Sequence, residues 1–143
     1  MDLCYTNNNE IMEIRDSINS FFLSIGFKLI GSDSSEYFGD YYDTYLSVNE
    51  CIYFRLLSDR SILSIDISND NLNWYDLALI KILLYDEKRF NKIVTIEENM
   101  DFLQAELTNI VALFNKKNYS TTKKRLEEIE NERIKQMFAG VKT

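Results

Sequence analysis

The chain has 143 residues, 45% of them hydrophobic and 13% aromatic, and carries a formal net charge of −7. That length suits one domain with one core, and the apolar content is high enough for it to fold. The acidity opposes contact with phosphate backbones, which require clustered Lys and Arg, so nucleic acid is not an expected ligand. A negative surface serves solubility first and encounter with a basic protein partner second.

The first predicted element is an amphipathic helix. Ile11, Ile14, Ile18, Phe21, Phe22 and Ile25 recur at three-and-four spacing, with Asn7 as cap, Glu10 three residues on and Gly26 as the left-handed stop. Residues 1–7 are expected to be disordered. "FKLIG" then reads as a short strand, with Phe27 and Leu29 on one side.

Ser32 to Asp40 reads as an exposed turn and Tyr41 to Ser47 as a strand. Its alternation predicts Tyr42, Thr44, Leu46 and Val48 toward the core, leaving Tyr41, Asp43 and Tyr45 outward. "CIYFRLLS" and "SILSIDIS" follow as a hairpin around Asp59-Arg60. Pairing Ser58 with Ser61 sets Leu56 opposite Leu63, Phe54 opposite Ile65 and Ile52 opposite Ile67.

The period then becomes helical. Asn73 is a candidate cap for a buried helix carrying Trp74, Leu77, Ile80 and Leu84, and Thr95 with Glu98 forms a capping box before Met100, Leu103, Leu107, Ile110, Val111 and Phe114. The last helix, within residues 119–143, has only a thin apolar seam of Leu126, Ile129, Ile134, Met137 and Phe138 among many charges. It should lie on the surface or project. The predicted class is α+β: an N-terminal amphipathic helix, an antiparallel meander of about four strands, then three helices, in a single domain spanning residues 1–143.

Catalytic and metal-binding motifs are scarce. The chain has no histidine, which removes the commonest general base, the commonest transition-metal ligand and any Ser-His-acid triad. Cys4 and Cys51 are too few for a disulfide framework and read as reduced thiols. Asp66, Ser68 and Asp70 match the first positions of a calcium loop, but Asn71 stands where glycine is needed and Leu77 where the glutamate is needed. They read as turn and cap residues. No cofactor or metal is expected, and no run approaches the ~18 apolar residues of a membrane span. A cytoplasmic protein is expected.

The positive feature is a cluster of tyrosines and acids. Asp33, Glu36, Tyr37, Asp40, Tyr41, Asp43 and Tyr45, with Tyr53 and Asp66 as neighbours, offer rigid aromatic contact area ringed by negative charge, which suits a basic protein surface. The competing reading is ordinary strand tyrosines and turn acids. Residues 1–79 hold 13 acids against 4 bases, a net of −9, so the acidity belongs to this half. Acid pairs such as Asp33 with Glu36, or Asp40 with Asp43, have the composition of a glycosidase pair, though such pairs are commonplace near turns.

Across residues 50–85, "YFRLLSDRSILSIDIS" followed by "WYDLALIKILL" resembles small immunity proteins of bacterial polymorphic-toxin and contact-dependent inhibition systems. The resemblance implies a non-enzymatic cytoplasmic protein that binds a cognate toxin domain, often a basic nuclease, and blocks its active site or substrate approach. It transfers no individual residue. A phage-encoded inhibitor of a host defence nuclease and a small carboxylate-dependent enzyme are the other readings.

Overall fold

The computed structural model describes residues 8–34, 40–47, 52–60, 62–87 and 95–139. The expected cap Asn7, both cysteines, Glu36, Tyr37 and Val48 lie outside them. The protein is α+β, with an N-terminal helix, an antiparallel sheet and then three helices. By its contacts it divides into two compact units, residues 1–74 and 75–143.

The first unit opens with α1, Asn8–Ser24. Gly26 ends it at φ +92°, while the Phe27 amide bonds back to the Phe22 carbonyl at 3.0 Å, so the left-handed stop is where the sequence places it. Four strands follow in the order β1 (Lys28–Ser34), β2 (Tyr41–Ser47), β3 (Ile52–Asp59) and β4 (Ile62–Ser68), each antiparallel to the next. β1 is longer than expected, because Ser32 to Ser34 continue its pairing with β2 rather than beginning a turn.

The hairpin of β3 and β4 keeps its predicted faces but not its predicted pairs. Leu56 lies opposite Ile65, Phe54 opposite Ile67 and Ser58 opposite Leu63, two residues from the expected register. The cause is the turn, which follows Asp59 and places Arg60 at φ +53°. Because side chains alternate with period two, a two-residue offset leaves the core face intact.

The core of this unit lies between α1 and one face of the sheet. Phe22 is fully buried; its ring stacks on Tyr45 at 4.6 Å and meets Phe54 at 5.3 Å and Phe27 at 5.6 Å. Ile18, Ile52, Leu56, Ile65 and Ile67 complete it. After β4 the chain turns on Asp70, whose carboxylate accepts the amides of Leu72 at 2.9 Å and Asn73 at 2.8 Å, and the Asn73 side chain at 2.7 Å. Those bonds hold its pKa far below the usual carboxylate range.

The second unit contains β5 (Tyr75–Asp76), α2 (Leu77–Tyr85), α3 (Ile96–Phe114) and α4 (Tyr119–Ala139). Asp76, not Asn73, caps α2, by accepting the Ala78 amide at 2.9 Å. Trp74 therefore stands before the helix rather than within it. Thr95 caps α3 as predicted, accepting the Glu98 amide at 3.2 Å, and Leu103, Ile110 and Phe114 are buried along its stripe. On α4, Leu126 is buried while Ile134, Met137 and Phe138 are exposed, as expected of a surface helix.

Candidate functional site

The expected outward cluster on β2 is turned the other way. Tyr41, Asp43 and Tyr45 are 6%, 3% and 0% exposed and face the core beside Ser58, Leu56 and Phe54 of β3. They are not a free landing surface. Tyr42 faces out instead.

Arg15 of α1 accounts for the reversal. Its Nε and Nη2 donate to the two carboxylate oxygens of Asp43, each at 2.7 Å, while the Ser32 hydroxyl donates to the same carboxylate at 2.7 Å. The guanidinium also lies 4.1 Å from the centre of the Tyr41 ring. A bidentate pair of this kind fixes both distance and orientation. It raises the Arg15 pKa, chiefly through the Asp43 hydrogen bond. Burial pushes the Tyr41 phenol up to about 12 and raises that of Tyr45, whose hydroxyl donates to Asn19 Oδ1 at 3.2 Å.

The opposite face of the sheet holds a second arginine. Arg55 donates from Nη2 to Asp66 at 3.0 Å and lies 4.3 Å from the Trp74 ring centre. Asp66 is therefore paired, and Tyr53, which lies opposite Ser68, is half-buried. The expected grouping of Tyr53 and Asp66 with the β2 acids does not form, because Asp43 lies on the other face.

What remains of the predicted set gathers at one end of the sheet. Asp33, Asp40 and Tyr42, joined by Asp59, Ser34, Tyr41, Leu57 and Ser58, line a cleft of about 330 Å³. Asp40 accepts the Arg60 backbone N–H at 2.8 Å. The Tyr42 hydroxyl hydrogen-bonds Asp33, which is the main reason its pKa is raised. No Lys or Arg is among the described residues that line it. A larger groove of about 510 Å³ lies between α2 and α4 in the second unit and contains none of the predicted residues.

No protein-family model, curated protein or solved structure matches the chain. Function is therefore read from the chemistry of the site itself. Among the described residues no group of three His, Cys, Asp or Glu is placed to hold a metal ion, and no helix is long and apolar enough to cross a membrane.

Sequence reasoning missed Arg15, Ser32, Ser58 and Asp59. A signal for the first was present: Arg15, Ile18, Asn19 and Phe22 share one helical face, and a charge on an apolar stripe calls for a buried counter-ion. Pairing Ser58 with Ser61 puts Asp59 in the hairpin turn; the observed register pairs Asp59 with Ile62 and moves the turn one residue on.

Proposed function

We propose that this chain is a non-enzymatic, cytoplasmic protein-binding inhibitor: an immunity protein that neutralises a cognate toxin domain by covering a basic surface on it. One observation carries the reading. Residues 1–74 contain 12 acids and 4 bases, and two of those bases, Arg15 and Arg55, are engaged by Asp43 and Asp66 within the fold. Among the described residues of this unit, Glu13, Asp16, Asp33, Asp59 and Asp70 are exposed, against the exposed bases Lys28 and Arg60. Such a field accelerates encounter with a positively charged partner and disfavours acidic ones.

The test is co-expression with the adjacent open reading frame, read as growth and as co-purification. The neighbour is expected to be lethal alone and harmless with this protein present. A neighbour that is innocuous alone, or lethal in both settings, overturns the immunity reading.

A further inference from the structure

We draw no further inference here: the strongest candidate, the groove of about 510 Å³ between α2 and α4, sets Asp86, Glu87, Glu128 and Glu132 around Ile82, Leu83 and Ile129, and nothing in the structure shows what covers it.

Discussion

Replacing Asp43 with alanine tests the interior of the first unit directly. The carboxylate accepts three hydrogen bonds of 2.7 Å, from Arg15 Nε, Arg15 Nη2 and Ser32 Oγ, and its side chain is 4% exposed against 27% for Arg15. Breaking a buried pair by removing one partner costs about 3–5 kcal/mol, because a charge is left without compensation. Arg15 keeps a quarter of its surface in water and can turn further toward it, which puts the expected loss at about 2–3 kcal/mol. With a urea slope of roughly 1–3 kcal/mol per molar, the midpoint should fall by about 0.7–3 M. Trp74 is the chain's one tryptophan and lies against Arg55 in the same unit, so its fluorescence reports the transition. Substituting both partners, Arg15→Met with Asp43→Leu, should restore much of the loss, since no uncompensated charge remains. A loss under about 0.5 kcal/mol, the range of plain surface substitutions, would refute the reasoning and return Asp43 to solvent. The same geometry forbids using Asp43→Lys as a probe of partner binding: it would unfold the unit before it altered an interface.

Phe22→Ala should cost about 3–5 kcal/mol, because it empties the site where four aromatic side chains meet, and calorimetry or urea unfolding would register it. Alkaline titration tests the buried phenols. Unfolded tyrosines ionise near ~10, whereas Tyr41 keeps its proton to about 12. Its burial therefore contributes stability that is complete below pH ~10 and is lost as pH climbs through the folded value. Ultraviolet titration should show some of the nine tyrosines ionising late, together with unfolding, and all of them ionising together near ~10 would contradict the burial of Tyr41 and Tyr45.

The helices were legible because their evidence is local: the α1 stop at Gly26, the Thr95 cap and the α3 stripe each depend on residues within a few positions. The two misreadings arose from long-range partners. β2 carries aromatic or aliphatic residues on both faces, so alternation could not choose its phase; the choice came from Arg15, which lies 28 residues away from Asp43 in sequence. The hairpin register was set by Arg60 adopting a left-handed conformation that turn preferences disfavour for a residue of its kind. For the candidate site, the acids Asp33 and Asp40 were visible from composition. Which tyrosine accompanies them, Tyr42 rather than Tyr41 or Tyr45, followed only once the phase of β2 was known.

β1 carries a bulge, at the register shift between Leu29 and Gly31 of its pairing with β2, and the bulge bears on edge-to-edge association. β1 is the outermost strand of the first unit, and six of its seven residues are exposed, including Leu29 and Ile30. Unmodified, it would be an open template for strands of other copies. The shift between Leu29 and Gly31 breaks its pairing into one stretch of two residues and another of four, and a bulge bends the strand and sharpens its twist. An incoming flat strand can match only one stretch at a time, which falls short of the six or seven residues that amyloid stacking requires. Among the described residues the irregularity thus interrupts what would otherwise be a regular exposed edge, in a chain without proline.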